Sequence, residues 1–244
     1  MYDPPSYIWA ITLTGVIGIA AATCGLLYGG AVRAELGRRR AALLAGGAAV
    51  VLGGWFTASA VIAEHGIYGG KTPWLPVAFA GFLTLLLALR RIPTVTQALA
   101  APGTMTRLPL PHTFRIAGVG MLLMMALGEL PALFALPAGL GDIATGLAAP
   151  LVALRPAQGT GRRRALWFNR LGTLDLIVAI ILGALTSFQL VTVTPVNTAI
   201  TELPLALIPT SAVPLLLVLH LTAQSGLAKP PRTPQPTATV AATA

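Results

Sequence analysis

The sequence predicts an all-α membrane protein of seven transmembrane helices, with its N-terminus outside and its C-terminus in the cytoplasm. Composition, the length of the apolar runs and the placement of basic residues carry that expectation. Of 244 residues, 55% are hydrophobic and 9% charged, where soluble domains are about 25% charged. The mean hydropathy is +0.80. Apolar runs occupy residues 7–30, 41–63, 74–89, 116–136, 138–154, 171–190 and 203–221. Most approach the roughly 20 residues that cross a hydrocarbon core of about 30 Å. The third and fifth are short and must borrow flanking residues or thin the bilayer locally.

All but Lys71 of the 16 Lys and Arg residues fall in alternate gaps between these runs. Arg33 and Arg38–Arg40 follow the first run; Arg90, Arg91, Arg107 and Arg115 surround the third-to-fourth connection; Arg155, Arg162–Arg164 and Arg170 lie between the fifth and sixth; Lys229 and Arg232 follow the seventh. Basic residues stay in the cytoplasm, which sets the orientation. The net charge of +9 therefore reads as contact with anionic lipid headgroups at Arg38, Arg39, Arg40, Arg162, Arg163 and Arg164, not as a nucleic-acid surface.

The segment before the first run carries Asp3 and two prolines but no basic residue, so that run is expected to stay in the mature protein instead of being cleaved as a signal peptide. The lone Cys24 lies inside it and reads as a small packing residue. Gly25 and Gly29 form a small-xxx-small face there, expected to mark close helix packing. Residues 1–224 read as a single transmembrane domain. Residues 225–244 turn to Pro, Thr and Ala and read as a disordered cytoplasmic tail.

The chain also matches itself at an offset of about 125 residues. Gly37-Arg38-Arg39-Arg40-Ala41 returns as Gly161-Arg162-Arg163-Arg164-Ala165, and Leu75-Pro76-Val77-Ala78 as Leu203-Pro204-Leu205-Ala206. The expectation is a 3+1+3 parallel repeat: repeat A at about 7–91, a linker helix at about 114–136 and repeat B at about 137–222. Carriers use such repeats, with sites near mid-membrane.

The architecture is similar to that of the SWEET sugar carriers and the opsins, but the residues are not. The Pro-Gln dipeptide occurs only at Pro234-Gln235, and no lysine lies in the seventh run to hold retinal. A closer resemblance lies in Leu136-Pro137-Ala138-Gly139-Leu140-Gly141-Asp142-Ile143, Leu171-Gly172-Thr173-Leu174-Asp175-Leu176, and Thr201-Glu202-Leu203-Pro204 through Pro209 and Pro214 to His220. These resemble motifs of a widespread family of small, uncharacterised bacterial integral-membrane proteins. The resemblance covers roughly the last half of the chain and implies a multi-pass inner-membrane protein.

Ionisable side chains within spans are costly and are candidate functional residues. Glu129 lies thirteen residues past Ile116, about 20 Å from the inner end at ~1.5 Å per residue. A turn near Pro137 then puts Asp142 at nearly the same depth, in the outer third, so the two could share a proton or a cation. The alternative has Glu129 satisfying backbone freed by Pro131 and Asp142 capping the fifth helix. Glu64, His65 and Glu202 lie at the outer span ends and are either solvated or part of an acidic vestibule. Asp175 is placed in the inner third, paired with Arg170 or Arg115, or acting as an inner proton site. His112 and His220 are placed near the cytoplasmic surface. Pro204, Pro209 and Pro214 should break the seventh helix.

The spacing carries no metal motif, no Ser/His/Asp arrangement and no HExxH; no cofactor is predicted. The best reading is a carrier or channel for a small, cationic or proton-coupled solute, with an intramembrane lipid enzyme or an interaction or sensory subunit as alternatives.

Overall fold

A computed structural model of the chain describes residues 4–70, 72–154 and 160–228; Lys71, Arg155, Lys229, Arg232 and the tail from 229 onward lie outside them. The described residues are all-helical: α1 (Ser6–Arg33), α2 (Arg38–Glu64), α3 (Trp74–Leu89), α4 (Pro93–Ala100), α5 (Thr104–Arg107), a 3₁₀-helix (Leu110–Gly118), α6 (Val119–Ala126), α7 (Ala132–Ala153), α8 (Thr160–Ser187), a 3₁₀ turn (Ala199–Thr201), a π-helix (Ile208–Ala212) and α9 (Val213–Leu227). Six helical segments are long and apolar enough to cross a membrane, or seven if α3 and α4, bent by 80° at a short break, count as one. α3 has 16 residues, about 24 Å at ~1.5 Å per residue, so it falls short of a full crossing by itself.

The fourth and fifth runs divide elsewhere than at Pro137. The fourth is Thr104–Ala126, assembled from α5, the 3₁₀-helix and α6, and the fifth is Ala132–Ala153. Gly128, at φ +81°, and Pro131 make the break. Gly128 adopts a left-handed geometry that other residues resist, and Pro131 flanks a helix start where no donor is needed. Pro137 sits just past the first turn of α7, where a proline forfeits a single hydrogen bond.

The segment Ile208–Leu227 is central. In its most apolar stretch 67% of residues are buried, against 11% in Arg38–Glu64, so α2 lies on the outside of the bundle. Val16 and Ile19 of α1, Phe82 of α3 and Leu176 of α8 converge on Val213 and Leu216 of α9. Trp55 of α2 stacks on Phe82, with centroids 4.7 Å apart. Gly15 and Gly18 let α1 approach Ala117 and Phe114, while nothing lies near Gly25. The close packing of α1 therefore uses Gly15, Gly18 and Gly30, not the Gly25/Gly29 face. Outward-facing apolar side chains such as Val50 (75% exposed) and Leu154 (81%) form the surface.

Both basic turns of the sequence match open helices, α2 and α8. The paired Leu-Pro segments differ: Leu75-Pro76 lies in the first turn of α3, and Leu203-Pro204 precedes the π-helix in a turn. The helix α9 runs on to Leu227, so Ser225–Leu227, expected in the tail, belong to it.

Candidate functional site

The prolines of the last segment create one polar focus. Pro214 has no N–H to offer the carbonyl of Thr210 four residues earlier. The indole Nε1–H of Trp55 donates to that carbonyl at 2.9 Å. Ser59 Oγ donates to Thr210 Oγ1 at 2.6 Å and lies 3.1 Å from Tyr68 Oη, and Thr210 Oγ1 donates to Ala206 O at 2.7 Å. Ser59, Tyr68 and Thr210 are buried. The π-helix is thus tied to α2, and the Trp55 indole meets the backbone acceptor that Pro214 releases. Pro209 lies in the π-helix and Pro214 near the start of α9, while Pro204 lies outside both.

A second focus lies at mid-span. Arg115 is the twelfth of the 23 residues of Thr104–Ala126 and Asp142 the eleventh of the 22 of Ala132–Ala153; Asp175 and His220 lie near the middle of Gly161–Ser187 and Ile208–Leu227. Arg115 is 1% exposed in its side chain, Asp142 15% and Asp175 16%. Arg115 Nε donates to Asp142 Oδ1 at 2.6 Å, and Arg115 NH2 donates to Asp175 Oδ2. The planar guanidinium suits this task, because its fork can hold two carboxylates at once.

Asn169 Nδ2 donates to Ala165 O at 2.8 Å, which leaves its Oδ1 to accept from His220 Nδ1–H at 2.9 Å. That fixes the tautomer. His220 Nε2 is then the acceptor, 3.5 Å from Arg115 NH1. The ring of His112 lies on that of His220, with centroids 4.0 Å apart, and Phe168 meets His112 edge-on.

Glycines make the room. A Cβ at Gly172 would come within 2.6 Å of the His220 ring, one at Gly118 within 2.5 Å of Asp142 Cβ, and one at Gly146 within 2.7 Å of the Ile116 backbone; Gly141 lies under the Asp175 carboxylate. Two of the motifs quoted above, Gly139-Leu140-Gly141-Asp142 and Gly172-Thr173-Leu174-Asp175, thus pair each carboxylate with the glycines that admit its neighbours.

A cavity of about 140 Å³ reaches this centre. Its far end is formed by the α2–α3 connection at Tyr68 and Thr72 and by Ser187, Phe188 and Thr201, and it extends to Asp142 through Phe79, Phe134, Ala138 and Leu176. A smaller cavity of about 40 Å³ adjoins on the α1 side and is lined by Thr12, Arg115 and Asp142.

The expected Glu129–Asp142 pair does not form. Glu129 lies in the turn between α6 and α7, its amide bonded to Met124 O, and Asp142 lies ten residues into α7, about 15 Å further on at ~1.5 Å per residue. Nor are the two aspartates split between the outer and inner thirds: both are mid-span on one arginine. Of the two partners weighed for Asp175, the structure has Arg115, while Arg170 lies over the Trp167 ring. His112 and His220, expected near the surface, are buried.

Glu64 and His65 are exposed, and His65 Nδ1 caps its own helix at Val61 O. Glu202 is half-buried in the α8–α9 connection. Among the described residues no three His, Cys, Asp or Glu side chains are grouped to hold a metal ion. Arg38–Arg40, Arg163 and Arg164 are exposed, whereas Arg162 NH2 donates to Leu227 O at 2.6 Å and closes the end of α9. Sequence reasoning missed Arg115 as the hub. The available signal was that two carboxylates in apolar spans need a buried cation.

A family model described as "Domain of unknown function (DUF8737)" matches residues 72–228. The match covers more than half of the chain and includes Arg115, Asp142, Asp175 and His220. No curated protein and no solved structure matches the chain. The chain belongs to the DUF8737 family.

Proposed function

We propose that this DUF8737 protein is a carrier embedded in a bacterial inner membrane that couples movement of a small solute to a proton or cation at the Arg115–Asp142–Asp175 centre. The observation that carries the reading is a charge imbalance at mid-span. Two carboxylates share one guanidinium, and His220 offers that guanidinium an acceptor. The cluster holds one formal negative charge more than positive, so one proton or one monovalent cation balances it. Ionisable groups at such depth mark transport pathways in membrane proteins, and Asp142 is reached by a cavity from one end of the bundle.

Orientation follows from the basic residues. Arg38–Arg40, Arg90, Arg91 and Arg162–Arg164 lie at one end, which is assigned to the cytoplasm with its anionic headgroups. The cavity then opens outward, and Glu64, His65, Glu129 and Glu202 lie at that end of the bundle, where the carboxylates raise the local concentration of cations. Gly37–Ala41 and Gly161–Ala165, which open α2 and α8, are the remaining support for descent from a 3+1+3 repeat.

The test is reconstitution. Proteoliposomes carrying an internal pH-sensitive dye are challenged with candidate solutes across a pH gradient. Wild type should show solute-linked proton flux that Asp142→Asn and Asp175→Asn each abolish while still inserting as folded protein. Folded variants with wild-type flux, or no linked flux with any solute of the cationic and neutral panels, would overturn the reading.

A further inference from the structure

Asp142 is the one charged side chain lining the 140 Å³ cavity among the described residues, and it stands at the inner end. The walls of the cavity are apolar and aromatic, with Tyr68 and Phe188 at the far end and Phe79 and Phe134 between that end and Asp142. These aromatics come from four different segments: the α2–α3 connection, α3, α7 and the end of α8. Arg115 Nε takes Asp142 Oδ1 at 2.6 Å, while Asp142 Oδ2 accepts no hydrogen bond among the described residues. One carboxylate oxygen is therefore uncommitted beside the cavity.

We infer that this cavity is the substrate site and that it selects a hydrophobic organic cation, a quaternary or tertiary ammonium on an aromatic or branched apolar body. The inference rests on the carrier reading and names its substrate class. Each competing class fails on the same walls. A divalent cation stripped of its water needs six or more oxygen ligands, and the lining offers one carboxylate and a few hydroxyls. A sugar would leave its hydroxyls unpaired against phenyl and leucyl groups, at about 1–3 kcal/mol for each buried polar group without a partner. An organic anion meets a cluster that already carries excess negative charge. An alkylammonium, by contrast, is attracted by aromatic faces through their quadrupole and by the Asp142 carboxylate. A quaternary head also needs no hydrogen-bond acceptor, which the apolar wall does not supply.

The position of the acid adds a coupling device. Asp142 faces both the large cavity and the small one that also contains Arg115. A cation drawing on Asp142 competes with Arg115 for the same carboxylate, so occupancy alters how tightly Arg115 holds Asp175. Substrate and proton then act on one charge balance.

The experiment is equilibrium binding to the purified full-length protein in detergent, with three probes of similar size: benzyltrimethylammonium, its neutral isostere neopentylbenzene, and phenylacetate. Wild type should bind benzyltrimethylammonium saturably at one site. Asp142→Asn should weaken it at least tenfold, and Phe79→Ala, on the cavity wall between the mouth and Asp142, several-fold. Neopentylbenzene should bind at least tenfold more weakly, and phenylacetate should not compete. Because Asp142→Asn perturbs the Arg115 pair, its melting profile is checked first; if it does not fold, Phe79→Ala and Phe134→Ala decide. Unchanged affinity in those folded variants, absence of saturable binding to wild type, or equal binding of phenylacetate would overturn the inference. Binding without proton flux in proteoliposomes would remove the carrier reading and leave a cation-binding protein. Flux with another solute and no cation binding would remove this inference alone.

Discussion

Gly172 lies directly under the imidazole of His220, so close that a Cβ there would sit 2.6 Å from ring atoms Cε1 and Nε2. The hydrogen on Gly172 is what allows α9 to set His220 against Arg115 while Asn169, one turn earlier on α8, orients the ring. Gly172→Ala should cost about 1–3 kcal/mol as an overpacked site, read as a lowered melting temperature. The sign should reverse when His220 is absent. In a His220→Ala background the extra methyl meets only Thr145 Cγ2, at 3.4 Å and in ordinary contact, and alanine gains up to about 1 kcal/mol over glycine within a helix. A double-mutant cycle with no coupling between the two positions would contradict this placement.

Arg115, 1% exposed in its side chain, holds two carboxylates at once. Arg115→Gln should destabilise by about 3–5 kcal/mol, the usual consequence of removing one partner from a buried ion pair. Combining it with Asp142→Asn and Asp175→Asn removes the stranded charges and should recover much of the yield of folded, monodisperse protein, without restoring transport. Arg115→Lys should behave as an intermediate case, because an ammonium lacks the planar fork. Equal yields for Arg115→Gln with and without the two neutralising changes would argue against the shared pair.

Trp55 and Pro214 predict a compensating pair. Trp55→Phe keeps a ring to stack on Phe82 but withdraws the donor from Thr210 O, which should cost about 1–3 kcal/mol for an acceptor left buried and unsatisfied. Adding Pro214→Ala returns a backbone N–H four residues beyond that carbonyl. The melting temperature of the double variant should therefore exceed that of Trp55→Phe alone; a further drop would show that the proline is needed for another reason.

Orientation is checked by cysteine labelling in a Cys24→Ala chain. Thr72→Cys should react with an impermeant reagent from outside sealed cells, and Thr160→Cys and Thr239→Cys only from the inside. Outside labelling of Thr160→Cys would reverse the assignment.

Much of this architecture was legible because apolar run length and basic residues report directly on the energy of a chain in lipid. Helix α1 and helix α2 begin and end within a few residues of the runs that announce them. The boundary between the fourth and fifth runs was not legible, since Pro131 and Pro137 both resemble helix breaks. Only tertiary structure shows that Pro137 is accommodated just inside α7 while Gly128 makes the turn. That one displacement moved Asp142 from the outer third to mid-span and separated it from Glu129.

Arg115 was legible only as one of two partners for Asp175; that it also holds Asp142 was hidden for a related reason. The run Pro109-Leu110-Pro111-His112 reads as a loop, but the chain continues through it as a 3₁₀-helix packed on the glycines of α7. A charge placed in a loop is expected to be solvated; this one is among the most buried residues. The carboxylates were found because their cost in lipid is independent of partner, whereas the arginine's role as the shared partner of both depends on the depth of its segment.

The central claim is that the outer cavity brings solute from one side of the membrane to a carboxylate at mid-span, and accessibility along α7 and α8 measures this most directly. In the Cys24→Ala chain, Ser187→Cys at the cavity mouth and Ala138→Cys, one turn before Asp142, should both react with a small membrane-impermeant thiol reagent added outside. Ser187→Cys should react faster, and Ala138→Cys should be protected by benzyltrimethylammonium. Leu140→Cys, on the outward apolar face of the same helix (Leu140 is 54% exposed), should stay unlabelled because lipid covers it. Labelling of Ser187→Cys with Ala138→Cys inert, or labelling of Ala138→Cys only from the cytoplasmic side, would contradict an outward path to Asp142.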